Sequence, residues 1–396
     1  MISPEKSPHR VAWLFPSLAR ASYWHPVLSA FAANCPNTII FTGNWPGFAA
    51  GLEGSFKVTV VGKFRYIKTA GEEFQRTIQI LPLRIVLNLL KFKPHAIFSA
   101  AFSMWTVLAI VLKPWMRWKI IIIYDGSSKT VDVIDSSWRL FFRRMLTKHA
   151  SAFITNSISG KAYLVKHLKA KDDLVYHRPY EVPDLSLLMK ISGSDKCSQW
   201  LEQVRHPLFL FVGQIVRGKG LHHLFEALLI LKNWGYKNFT LMIIGDGPQR
   251  SELDHWIRDN GLVEHVIWIG WLEYGSLGFY FQSADILVFP TLADVWGMVV
   301  PEAMLFGKPI LCSKFAGAAD LVVNEENGFV FDPASHKQLA EFMRRFIDDP
   351  RLITEMGHKS KQMMKPFTAQ TAANHLIHIL RVVMSDKQRS HRAASF

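Results

Sequence analysis

Short apolar runs alternate with longer segments of mixed pattern along most of the chain. Runs dominated by Val, Ile, Leu, Phe and Ala cover 11–15, 37–42, 96–99, 119–124 and 152–156, and 56–61 alternates apolar with polar. Compact apolar runs of this length read as strands buried on both faces, as in a parallel sheet. Between them, the spacing predicts helices over 26–33, 77–90, 103–112 and 136–148. From about 182 to 206 the pattern breaks, and Ser192-Gly193-Ser194-Asp195 has the composition of a linker. At Pro207 the alternation restarts. Strands are predicted over 208–212, 239–244, 266–270, 286–289 and 309–312, with helices over 221–232, 249–260 and 275–283 and another from Pro301. Two later segments, 337–347 and 369–385, read as helices. Repeated strand–helix alternation argues for an α/β chain of two doubly wound, Rossmann-like domains facing an inter-domain cleft. The expected division is 1–190, a linker at 191–206, a second domain at 207–366, and a terminal helix within 367–396 that packs back on the first.

Length and composition agree with this reading. The 396 residues are 49% hydrophobic and 20% charged, enough for two cores and unlike a disordered chain. Charge changes the picture more. The net +14 lies wholly in residues 1–190, which hold 25 Lys and Arg against 11 Asp and Glu. Such an excess suits an anionic membrane surface or anionic acceptor, while solvated lysines would produce the same count. No nucleic-acid recognition motif accompanies it. Cys35, Cys197 and Cys312 are scattered, with neither metal-ligand spacing nor an even disulfide framework, which suits a reducing, cytoplasmic compartment. The opening residues lack the apolar core of a secretory signal. Residues 94–112 carry no formal charge, but Pro94, His95, Ser99 and Ser103 divide them better into a strand and a buried helix than into a membrane span.

Three stretches carry candidate chemistry. In 289–310, an apolar strand stops at Pro290, a polar turn holds Asp294 and Gly297, and a helix carries Glu302 in its first turn. Helix N-termini favour phosphate, and a carboxylate beside one must aim at neutral groups such as sugar hydroxyls. The same residues also serve a helix cap and an ordinary turn, so both readings stand. In 213–220, Gly213, Gly218 and Gly220 let backbone approach a ligand, and Arg217 and Lys219 bring two cations to neutralise a pyrophosphate. Tyr124-Asp125-Gly126-Ser127-Ser128 closes a predicted strand, the position where open α/β sheets bind ligands.

Asp294-x7-Glu302, with Gly297 before it closes and Gly307-Lys308-Pro309 after it, resembles the E-x7-E signature of family 4 glycosyltransferases, which have the GT-B fold. Glutamate is usual at the first position; Asp294 keeps the charge and shortens the reach. Gly213, Lys219 and Gly220 match the family's G-R-x-x-x-x-K-G element, with Gln214 standing for arginine and Arg217 near enough to supply the charge. Gly245-x-Gly247-Pro248 resembles the family's turn against the nucleotide, and Asn327-Gly328 a short element after the central motif. The resemblance covers about 208–333. The glycine pair common in the family's first loop is absent.

The resemblance implies a retaining transfer of a sugar from a nucleotide diphosphate sugar to a hydroxyl acceptor, with 1–190 on the acceptor side and 207–366 holding the donor. Lys219 and Arg217 stabilise the leaving diphosphate, Glu302 binds ribose hydroxyls, and Asp294 binds the transferred sugar beside the backbone of Gly297, Met298 and Val299. Gly213, Gln214, Gly245, Gly247 and Pro248 complete the donor side, and Asp125 is the acceptor-side candidate. No cofactor or metal is expected, since no Asp-x-Asp pair is present. The acceptor stays open among polysaccharide, lipid-linked glycan and small molecule. A peripheral position on the inner face of a membrane is compatible with the charge. Two other readings remain: a dinucleotide oxidoreductase, which lacks G-x-G-x-x-G after a first strand, and a catalytically silent binding protein of the same fold docked by its basic half.

Overall fold

A computed structural model describes residues 6–18, 23–49, 51–62, 65–69, 76–128, 131–190 and 204–393. The expected linker at 191–206 lies outside the described residues except for its last three positions. The chain forms two compact units, one made of Met1–Val182 and Phe367–Phe396, the other of Pro183–Pro366.

The first unit is built on a parallel sheet of seven described strands: β1 (Val11–Ser17), β2 (Thr38–Asn44), β3 (Lys57–Val60), β6 (Ala96–Ala100), β7 (Lys119–Ile123), β8 (Ala152–Thr155) and β9 (Val175–His177). β4 (Arg65–Thr69) and β5 (Arg76–Ile80) form a separate antiparallel pair. Strand order is β3-β2-β1-β6-β7-β8-β9, so the winding reverses between β1 and β6. Ile120 to Ile123 and Val11 to Leu14 are buried throughout, as the unbroken apolar runs require. The helices are α1 (Trp24–Asn34), α2 (Ile85–Phe92), α3 (Met104–Met116), α4 (Ser137–Thr147) and α5 (Ile158–Ala162). α2, α3 and α4 send Ile85, Leu89, Trp105, Ala109 and Leu146 into one face of the sheet. α1 covers the other face, with Trp24, Val27, Leu28 and Phe31.

The helix predicted over 77–90 is corrected. Residues 76–80 pair with 65–69 as a hairpin arm, and helix begins at Ile85. Pro82 explains this: a proline inside the window removes an N–H and disfavours helix at the residue before it.

The second unit repeats the plan. After α6 (Leu185–Leu188), its strands are β10 (Leu208–Val212), β11 (Thr240–Ile244), β12 (Val266–Gly270), β13 (Ile286–Phe289), β14 (Ile310–Ser313) and β15 (Gly328–Phe331), in the order β12-β11-β10-β13-β14-β15, all parallel. The helices are α7 (Leu221–Asn233), α8 (Arg250–Asp259), α9 (Leu277–Ser283), α10 (Val299–Leu305), α11 (His336–Asp348) and α12 (Arg351–Met364). α10 begins two residues before the expected Pro301. Proline is still tolerated there, because the first four helical N–H groups lack intrahelical partners. The strand at Gly328–Phe331 and the helix at Arg351–Met364 were not among the predicted elements.

α13 (Ala369–Ala393) belongs to the first unit and packs along α1. Ala372, Ala373, Leu376, Ile377, Leu380 and Val383 are buried in the same cluster as Trp13, Val27 and Phe31. The spacing of three and four residues makes one continuous stripe. Leu380→Ala should destabilise the first unit by about 2–5 kcal/mol, read as a lower urea midpoint of its unfolding transition.

Candidate functional site

In the second unit the winding reverses between β10 and β13, which are hydrogen-bonded neighbours although 73 residues separate Val212 from Ile286 in number order. Loops leaving the carboxyl ends of such strands diverge to opposite sides of the sheet and leave a crevice. The two loops concerned are 213–220 and 290–298. They meet at Gly218, whose carbonyl accepts from Leu292 N at 2.8 Å and from Thr291 Oγ1 at 3.1 Å. Gly220 has φ +72°, and a Cβ built on it would lie 2.0 Å from the carbonyl oxygen of Pro290. The glycine is therefore required by the neighbouring loop as well as by the left-handed backbone.

This contact carries Lys219 to Asp294. Lys219 Nζ lies 2.5 Å from Asp294 Oδ2, and both side chains are largely shielded. The ammonium also stands 5.4 Å from the centre of the Phe289 ring, a cation–π distance. Asp294 Oδ1 accepts from Trp296 N at 3.2 Å, and its backbone bridges to Ala316. One carboxylate thus holds a cation and shapes the turn that leads to Gly297. The indole Nε1 of Trp296 is buried without a hydrogen-bond partner among the described residues, an open donor inside this turn.

Glu302 sits in the first turn of α10 and is only 4% exposed. Oε1 accepts from the Tyr274 hydroxyl at 2.9 Å. Burial pushes the carboxyl up to about 7, and the tyrosine hydrogen bond pulls the other way. Tyr274 is itself raised, first by burial and then by the Glu302 charge. Among the described residues the pair is a buried acid with one neutral donor and no cation on its carboxylate, a group poised between protonation states near neutrality.

The other predicted residues take these places. Arg217 opens a short turn and is exposed, and Gln214 is exposed beside it. Gly213 follows β10, and its N–H donates to Ile244 O. Gly245 packs backbone to backbone on it: at φ +138°, a Cβ would stand 1.9 Å from Gly213 O. The 213–220 loop therefore needs a glycine at 245 for its own backbone to pack. Gly247 and Pro248 line a hollow of about 500 Å³ with Arg250, Asp254 and Arg258. Gly297 and Met298 precede α10 and Val299 opens it. Asp125 follows β7 in the first unit, where its Oδ1 accepts from Tyr180 OH at 2.7 Å. Next to it, Asn156 Oδ1 accepts from the backbone of Tyr180 and Glu181. Sequence reasoning missed Tyr274 and Tyr180. Tyr274 follows the carboxyl end of β12, a position that could have signalled it. Tyr180 comes close to Asp125 only through the pairing of β7, β8 and β9. No cluster of three or more metal-ligating side chains occurs among the described residues.

Comparison with known proteins adds the following. Residues 196–363 match the sequence profile described as "Glycosyl transferases group 1". A 2-deoxystreptamine glucosyltransferase of Streptomyces kanamyceticus is 28% identical over 189 residues, 47% of this chain and 49% of that protein. The capsular polysaccharide biosynthesis glycosyltransferase CapM of Staphylococcus aureus is 30% identical over 168 residues, 40% and 42% of the two chains. The chain thus spans about half the length of the curated relatives it matches, or somewhat less. Solved structures match more widely. Anabaena Alr3699/HepE in complex with UDP aligns over 94% of this chain and 100% of its own, with TM-score 0.73 and 17% identity. Sucrose-phosphate synthase from Thermosynechococcus elongatus aligns over 95% and 99%, with TM-score 0.69 and 18% identity. Both units therefore share the GT-B architecture.

Two outcomes are expected from this geometry. Gly220→Ala should destabilise the second unit by at least about 1–2 kcal/mol, since left-handed backbone alone costs that much for alanine, as measured by denaturant unfolding. Glu302 makes stability depend on pH. Between about 4.5 and about 7 the folded chain keeps a proton that the unfolded chain has lost, so stability falls as pH rises through that window. At about 1.4 kcal/mol per unit, Glu302→Gln should be more stable than the parent at pH 8 by up to about 3 kcal/mol. The difference should vanish near the unfolded pKa of 4.5, as followed by melting at each pH.

Proposed function

We propose that this protein, whose residues 196–363 match the profile "Glycosyl transferases group 1", moves a sugar from a nucleotide diphosphate sugar to a hydroxyl acceptor, with retention at the anomeric carbon. The observation that supports this most is the meeting of the 213–220 and 290–298 loops at the reversal point of the sheet, with Lys219 on Asp294. The donor diphosphate would lie over the 213–220 loop. Lys219, already held by Asp294, and exposed Arg217 would take up the charge that grows as the sugar–oxygen bond to the diphosphate breaks. Asp294 keeps Lys219 in place, and its remaining acceptor capacity serves a sugar hydroxyl. Glu302 in its ionised form accepts the ribose hydroxyls, and Tyr274 supplies the hydrogen bond that favours that form.

Retention follows if the acceptor oxygen bonds on the face the diphosphate leaves, passing its proton to a leaving phosphate oxygen. That route needs neither a covalent nucleophile nor a metal. Asp125, anchored by Tyr180, is the proposed acceptor-side group. The UDP held by the Anabaena protein and the glucosyl transfer named for the Streptomyces relative put UDP-sugars first among donors to test. A second reading, a protein of this fold that binds a nucleotide without turnover, has one specific support: Asp294 already neutralises Lys219.

The test is a thermal-shift titration with UDP, GDP and ADP, followed by a hydrolysis panel of nucleotide sugars. One diphosphate should raise the melting temperature by mass action. Lys219→Ala should weaken its binding about tenfold or more, the loss of one charge-assisted contact. Binding should also weaken as pH falls through about 7, where Glu302 takes up its proton. No shift with any diphosphate, or equal shifts in Lys219→Ala and Glu302→Ala, overturns the reading. Binding without turnover of any sugar favours the silent alternative.

A further inference from the structure

Helix α4, Ser137–Thr147, turns its apolar stripe the wrong way for a helix that only packs inward. Trp138 lies three and four residues before Phe141 and Phe142, and Met145 four and three after them, and all four are exposed, Trp138 by 70% and Phe141 by 64%. Two of its arginines point back instead. Arg143 donates to Val131 O and to the Tyr163 hydroxyl, and Arg144 to His167 O. A lone exposed leucine needs no explanation, but a continuous aromatic stripe does.

The stripe does not stop at α4. A groove of about 770 Å³ separates it from α3, with Val111, Trp118, Phe142 and Met145 on its walls and Lys113 and Arg117 among its lining. The last turns of α3 expose Val111 and Trp115, the latter by 75%. α2, which packs against α3 on the same face of the first sheet, exposes Leu87. Helices α2, α3 and α4 contain no Asp or Glu. Over 81–150 there are eleven Lys and Arg against three Asp. Arg84, Lys91, Arg117, Arg139 and Lys148 are exposed around the apolar residues.

We propose that this face of the first unit docks on an anionic phospholipid bilayer. Trp115, Trp138 and Phe141 enter the interfacial layer, where amphipathic rings are at home, and Arg117, Arg139 and Lys148 meet the phosphates. The charge selects the occupant. A second copy would bring the same cations against themselves, whereas an acidic lipid surface complements them over the whole patch. The mode is lying on the surface, because no described helix is long and apolar enough to cross it. The proposal is independent of the transferase reading, since it uses no residue of the donor loops.

The test uses the full chain in co-sedimentation with vesicles of phosphatidylcholine, with and without about 30% phosphatidylglycerol. The protein should bind the anionic vesicles and not the neutral ones, and salt should release it. Trp138→Ala with Phe141→Ala, and separately Arg139→Glu with Lys148→Glu, should each weaken partitioning about tenfold. Melting temperatures of both variants should stay at the parent value, as all four side chains are exposed. If the aromatic variant fails to fold, the charge-reversal variant carries the test. Failure of the parent to bind, equal binding to both vesicles, or parent-like binding by the charge-reversal variant overturns the proposal. So does a dimer in light scattering that dissolves in the aromatic variant, which would assign the face to a second copy.

Discussion

β10 and β13 lie side by side while the chain between them runs through two other strands and three helices. Their loops leave the same edge of the sheet, and the backbone groups at that edge must find partners or remain buried and unpaired. Gly218 meets the demand by giving its carbonyl to both Leu292 and Thr291. This cross-loop contact is geometric before it is chemical. It fixes where Lys219 and Asp294 stand, since each is within two residues of a bonded position. The ion pair follows from the loop contact and then reinforces it.

The same region tolerates features that a purely structural design would remove. Among the described residues, Glu302 is a buried carboxyl with a single neutral donor and Trp296 keeps an N–H without a partner. Both lie on the stretch from Asp294 to α10. Buried polar groups left short of partners lower stability, and natural proteins keep them mainly where binding or catalysis needs them.

Much of the architecture could be read from the chain because a parallel sheet covered on both faces demands continuous apolar strands, and those are conspicuous. Ile120 to Ile123 and Leu208 to Val212 are examples. The failures have particular causes. The hairpin arm at Arg76–Ile80 overlaps the helix expected over 77–90, because that window has helical spacing apart from Pro82. The strand Gly328–Phe331 is four residues long and its first is a glycine, which looks like a turn until pairing with β14 is known. In the site, Lys219, Asp294 and Glu302 were legible through their spacing to glycines. Tyr274 carries only a positional signal, just after the carboxyl end of β12, and its pairing with Glu302, 28 residues later, emerges only in the fold. Likewise, the demand that neighbouring backbone makes on Gly220 and Gly245 is visible only once the loops are packed.

The way α13 belongs to the first unit bears on how the protein is made. Leu376, Ile379 and Leu380 fill the core beside α1, yet they are translated only after every residue of the second unit. On the ribosome the second unit can complete its sheet first, while the first waits with Trp24, Val27 and Phe31 uncovered. Domains generally fold as units during synthesis, and exposed apolar surface in the interval invites misassociation. The basic first half therefore emerges early and matures late, and chaperone demand should concentrate there.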